Sequence, residues 1–100
     1  MKKSNCIEAC SACVVACESC IVDCIKAGNQ QCISLCRDCA DICALCARLA
    51  ARDSQYCQEL CALCVKVCKA CADECSKHAS HMECCKVCAE ACKKCAEACA

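Results

Sequence analysis

From Cys57 to Cys75, cysteine recurs at 57, 61, 64, 68, 71 and 75, with gaps that alternate four and three. That spacing is a heptad with cysteine at both seam positions, where a bundle helix ordinarily carries Leu or Ile. Residues three and four apart share one face of an α-helix, so these six thiols form one stripe. The pattern occurs three more times: at Cys6, Cys10, Cys13, Cys17, Cys20 and Cys24; at Cys32, Cys36, Cys39, Cys43 and Cys46; and at Cys85, Cys88, Cys92, Cys95 and Cys99. Of the 23 cysteines only Cys84 falls outside it. Four such stripes joined by short connections read as an all-α fold, an antiparallel up-down-up-down four-helix bundle with a cysteine-lined core.

The length of 100 residues suits one domain over residues 1–100. There is one glycine, no proline and a single aromatic residue, Tyr56, while Ala, Lys, Glu and Leu fill much of the remainder, which favours helix over sheet. Cysteine supplies more than a third of the apolar residues; without it the core of a bundle this size would be small. The 12 basic and 12 acidic residues cancel and are mixed along the chain, so nothing resembles a basic footprint for nucleic acid. The start Met1-Lys2-Lys3 looks like the basic region of a secretory leader, but Glu8, Glu18 and Asp23 interrupt the stretch where an apolar region would follow. No apolar run reads as long enough to span a membrane. These features point to a cytosolic protein with neither membrane nor nucleic-acid partners. In the cytosol thiols stay reduced, so a dense cysteine set indicates metal rather than disulfides.

The spacing places helix 1 at about Asn5 to Ala27, with Ser4 as its N-cap and Gly28 as its C-cap glycine. Asn29 then caps helix 2, about Gln30 to Arg52. Asp53 and Ser54 form the next turn, with Asp53 assigned as a cap of helix 3, about Gln55 to Lys77. Ser80-His-Met-Glu83 has the form of a capping box and starts helix 4 near His81. Each helix of ~22 residues spans about 33 Å. One end of the bundle then gathers His78, His81 and Met82; the other gathers the N-terminus, Asp53, Cys99 and Tyr56, which would plug that end.

Pure packing does not explain the seam, because Leu or Ile would bury more apolar area at each position, at about 25 cal/mol for each Å². Disulfides fit poorly: the cysteine count is odd, and neighbours along one helix point side by side. Metal remains. Buried thiols stay protonated until a cation replaces the proton. Zinc held by four thiolates leaves a net charge of −2 at each site, which repels when sites are stacked, whereas one Cu(I) per thiolate is neutral and soft thiolates select Cu(I). Zinc or cadmium ranks second, and iron–sulfur third for want of a cysteine loop. With one ion per bridging thiolate, capacity is on the order of 20 per chain. No catalytic constellation is present, neither an open metal site with a general base nor an isolated Cys/His pair, so an enzyme is not expected.

The repeated Cys-x3-Cys-x2-Cys on four helices resembles the bacterial copper storage proteins. Cys39-Ala-Asp-Ile-Cys43-Ala-Leu-Cys46 and Cys71-Ala-Asp-Glu-Cys75 followed by Lys77-His78 are similar to the cytosolic branch of that family. The resemblance covers essentially the whole chain. It implies storage and detoxification of copper as many Cu(I) ions per chain, a tetramer of bundles, and the seam cysteines as ligands, position by position. Cys84 lies on a flank and is either a ligand at the mouth or a partly exposed thiol. His78 continues the helix 3 seam and His81 the helix 4 seam, so both are assigned to the mouth through which copper passes, with Met82 as a soft relay. A metallothionein-like zinc or cadmium buffer is the competing function, and a thiol–disulfide redox protein a further one.

Overall fold

Each cysteine run becomes one helix in the computed structural model, which describes residues 3–100. Helix α1 spans Lys3–Ala27, α2 Gln30–Ala51, α3 Cys57–Ser76 and α4 Glu83–Cys99. Met1 and Lys2, part of the basic start, lie outside the described residues. The helices form a ring, α1 against α2, α2 against α3, α3 against α4, and α4 back against α1. Among the described residues no backbone approach joins the diagonal pairs. Only side chains meet there, as Cys10 and Cys64 do with sulfurs 4.0 Å apart. The core is therefore one layer of thiols running along a rod of 40 × 17 × 17 Å. Neighbours are antiparallel: the start of α1 meets the ends of α2 and α4, through Cys6–Cys46 at 3.9 Å and Cys10–Cys99 at 3.5 Å.

Two of the turns use the same device. At the end of α1 the Gly28 N–H donates to the Ile25 carbonyl at 3.2 Å and the Asn29 N–H to the Cys24 carbonyl at 3.0 Å. These are the paired bonds of a Schellman motif, with Gly28 in the left-handed region at φ 72°. At the end of α2 the Asp53 N–H donates to Ala50 at 3.3 Å and the Ser54 N–H to Leu49 at 3.0 Å. Asp53 takes the left-handed position there, at φ 51°, a conformation that Asp tolerates better than most side chains. Its carboxylate pairs with Lys3 Nζ, which ties the start of α1 to this turn.

Several expected caps are therefore differently employed. Ser4 lies inside α1. Asn29 holds the N-cap position of α2 without a side-chain bond, its backbone serving the Schellman motif instead. Asp53 closes α2 rather than opening α3. Ser54 Oγ accepts the Tyr56 N–H at 3.1 Å, and α3 begins at Cys57, two residues later than the spacing suggests. Tyr56 occupies the N-cap position and is exposed, so it plugs nothing. The capping box does not form: Ser80 Oγ lies 3.5 Å from His81 Nδ1, and α4 begins at Glu83. Between α3 and α4 the chain is held by successive i→i+3 bonds, Lys77 to Glu74, His78 to Cys75 and Ala79 to Ser76. The helices consequently have 25, 22, 20 and 17 residues rather than one common length.

One expectation about membranes changes. By length and composition α1 is apolar enough to cross a membrane, contrary to the reading that no such run exists. Only a third of that apolar stretch is buried in the bundle, where its cysteines and Ile21 lie, while Val15, Val22 and Ile25 are exposed.

Candidate metal centre

Every cysteine except Cys57 and Cys84 is buried, most with no exposure at all. Partly buried Val14, Ile33, Leu35, Ile42, Leu60 and Val65 pack around the thiols and separate them from water. The helical period points one sulfur inward every three or four residues, and the antiparallel register interleaves the four columns. Cys13 lies 3.7 Å from Cys39 and 3.6 Å from Cys92; Cys39 lies 3.7 Å from Cys68. One thiol from each helix thus meets at mid-length. Among the described residues no pair is bonded: the shortest sulfur contacts are 3.5 Å, far beyond the ~2.05 Å of a disulfide.

These contacts fit metal bridging. A metal–thiolate bond of about 2.3 Å allows two sulfurs on one ion to lie up to about 4.6 Å apart. Groups of four sulfurs lie within 4.8 Å of one another: Cys6/Cys10/Cys46/Cys99, Cys10/Cys64/Cys95/Cys99, Cys13/Cys39/Cys43/Cys68, Cys13/Cys17/Cys39/Cys92 and Cys17/Cys71/Cys88/Cys92 among them. Cys10, Cys13, Cys17, Cys39, Cys92 and Cys99 each belong to two of these groups. Separate four-thiolate sites could not occupy all of these groups at once, because the groups share sulfurs; filling neighbouring groups needs thiolates that bridge two ions. A chain of bridging thiolates is what the arrangement offers.

Burial pushes up the thiols toward the two ends, namely Cys6, Cys24, Cys32, Cys46, Cys61 and Cys85, and Cys84 to about 12. Deeper in the column, hydrogen bonds between thiols divide the protons. The bond between Cys13 and Cys17 pulls Cys13 down and holds Cys17 up, since a thiolate accepts from its neighbour's S–H.

At the end formed by the α1–α2 and α3–α4 turns, Cys24, Cys32, Cys75 and Cys85 contribute one thiol from each helix. Cys24 lies 3.9 Å from Cys85, and Cys32 lies 3.6 Å from Cys75 and 4.0 Å from Cys85. Cys84, off the heptad, joins this group: it is 3.6 Å from Cys20 and 3.9 Å from Cys85. Because α4 begins only at Glu83, Cys84 sits in its first turn, at the rim rather than out on a flank. His78 and His81 come together, with ring centroids 5.7 Å apart and planes at 87°. His78 is half-buried and His81 exposed, while Met82 packs against the cysteine core. At the opposite end half-buried Cys57 lies 3.9 Å from Cys61, which is 3.6 Å from Cys46. The sequence reading passed over Glu74, which is buried and bound to His78; the i,i+4 spacing of Glu74 and His78 was the available signal.

The profile of the family described as copper storage protein matches residues 1–100. The chain belongs to that family. No curated protein matches the sequence. Among solved structures, the chain is similar to apo copper storage protein 3 from Bacillus subtilis, at 45% identity and a TM-score of 0.91, covering 98% of this chain and 95% of that one. The Cu(I)-bound form of the same protein is matched at 44% identity and a TM-score of 0.90, over 98% and 95%. A cytosolic copper storage protein from Streptomyces lividans, in a copper-loading structure with five coppers, is 39% identical with a TM-score of 0.91, over 97% of this chain and 88% of that one. The copper storage fold is thus shared along almost the whole chain.

Proposed function

We propose that this chain stores and detoxifies copper in the cytosol, holding many Cu(I) ions on the thiolates inside a bundle that is already folded, and that its role is not catalytic. The overlap of the thiol groups carries this reading: sulfurs shared between successive groups along the core suit bridging monovalent ions, each neutralised by one thiolate. The seam cysteines, with Cys84 at the rim, are the ligands, and capacity is on the order of 20 ions per chain. The chain is taken as one storage domain. A tetramer of bundles, as the family resemblance implies, would cover the exposed Val15, Val22 and Leu45.

Anaerobic titration of the reduced apo-protein with Cu(I), against a chromogenic chelator and with helicity followed throughout, tests this. The expected result is stoichiometric uptake of many ions with helicity unchanged. Thiols held above their ordinary range must give up protons to bind, so uptake should release protons and tighten as pH rises. Uptake of only a few ions, or helix appearing only with metal, would overturn the store. The four-sulfur groups also suit a zinc or cadmium buffer; tighter binding of Zn(II) in a parallel titration would favour it.

His78 and His81 form the mouth of this store, with Met82 beside them. Imidazoles at a rim bind Cu(I) more loosely than thiolates do, so they can take up and pass on ions without trapping them. Replacing both with Ala is expected to slow loading in stopped-flow measurements and leave final capacity nearly unchanged. A large loss of capacity would assign them to the store itself.

A further inference from the structure

Glu74 is the one buried charged side chain among the described residues. It lies in the last turn of α3, where the helix dipole disfavours an anion, and burial adds a desolvation cost. Stability alone does not account for a carboxylate at that place. Its two oxygens are both engaged: Oε2 lies 3.0 Å from His78 Nε2, and Oε1 accepts from Lys77 Nζ at 3.2 Å. An ionised carboxylate only accepts hydrogen bonds, so the nitrogen facing it must carry the proton. In a neutral imidazole the lone pair is then on Nδ1. Glu74 directly precedes Cys75, whose sulfur lies in the thiol group at this end.

We propose that Glu74 is a positioning residue that fixes His78 in the Nε2–H tautomer and so makes Nδ1 the atom that receives Cu(I) and passes it to the thiol group of Cys24, Cys32, Cys75 and Cys85. The proposal rests on the mouth reading given above and adds the atom and the residue that sets it. Carboxylate partners of metal-binding histidines act in this way elsewhere, and their loss typically costs 10–100-fold in metal affinity or activity. Glu74→Gln is the discriminating variant. A carboxamide keeps the size but can donate as well as accept, so it no longer dictates the tautomer.

The test uses the full-length, reduced apo-protein labelled with ¹⁵N. Long-range ¹H–¹⁵N correlation reads the His78 tautomer in wild type and in Glu74→Gln, and stopped-flow uptake of Cu(I) from a chelated donor reads loading. In wild type the Nε2–H tautomer is expected; in Glu74→Gln the Nδ1–H form should appear and the first equivalents should load about 10-fold more slowly. Final capacity and apo helicity should be unchanged. Wild-type His78 in the Nδ1–H form, or an unchanged loading rate in Glu74→Gln while the His78→Ala/His81→Ala variant is slow, would overturn the proposal and leave the mouth standing. Normal loading of that histidine variant would instead remove the mouth reading, and with it the loading role of Glu74.

Discussion

Loading the reduced protein with Cu(I) is expected to raise its thermal unfolding midpoint by at least about 10 °C. A ligand present at a hundred times its Kd and bound only by the folded state contributes about 2.7 kcal/mol per site. In a domain of this size 1 kcal/mol moves the midpoint by about 4–8 °C. Two such sites alone would exceed the expected shift, and the core offers many more. The unfolded chain also binds Cu(I), because its cysteines remain three and four residues apart, and this competition reduces the gain. Contacts between helices, such as Cys13 with Cys39 and Cys92, do not survive unfolding. Differential scanning calorimetry of apo and loaded protein under anaerobic conditions measures the difference. An unchanged midpoint would mean that copper sits on local pairs that the unfolded chain supplies equally well, and the bridged core would be abandoned.

Replacing Cys13, Cys39, Cys68 and Cys92 together by Ser is expected to remove at least about four ions of capacity, on the basis of one ion per thiolate. These residues form the mid-length layer, with sulfur contacts of 3.6–3.9 Å between them. Serine is close in size, and its hydroxyl can turn back to the carbonyl four residues earlier, as Ser11 Oγ does to Ile7 at 2.9 Å. The apo-variant should therefore keep its helicity, with some loss of thermal stability from the buried hydroxyls. A titration with the same chelator gives the capacity, and circular dichroism the fold. A loss much greater than four would show that the layer bridges clusters on either side of it. Unchanged capacity would show that the mid-length thiols are not used.

The four-helix architecture and the identity of the buried side chains were legible because the cysteines repeat with the period of a helix. A three-four spacing is a local property, and its inward face follows from geometry alone. The caps were less legible. Asp53 is a residue type that opens helices, yet it closes the preceding one, since a chain reversing between antiparallel helices needs a left-handed residue there. Asn29 does hold the N-cap position of α2, but through its backbone and without a side-chain bond, while Gly28 takes the left-handed position. The starts of α3 and α4 moved inward for a related reason: the turns are closed by short-range bonds around Ser54 and His78. Cys84 could not be placed from its off-register position; the later start of α4 brings it to the rim, 3.6 Å from Cys20. Glu74 reads as one more charge on a solvated helix until its burial is seen.

The sequence by itself determined that sulfur fills the core, because every stripe is set by residues three or four apart on one helix. Only the tertiary structure decided which thiols on different helices share a group, which two cysteines remain partly open, and which nitrogen of His78 faces a carboxylate. Those relations depend on the register between helices. That register is fixed by turn geometry and packing over distances that no local spacing encodes.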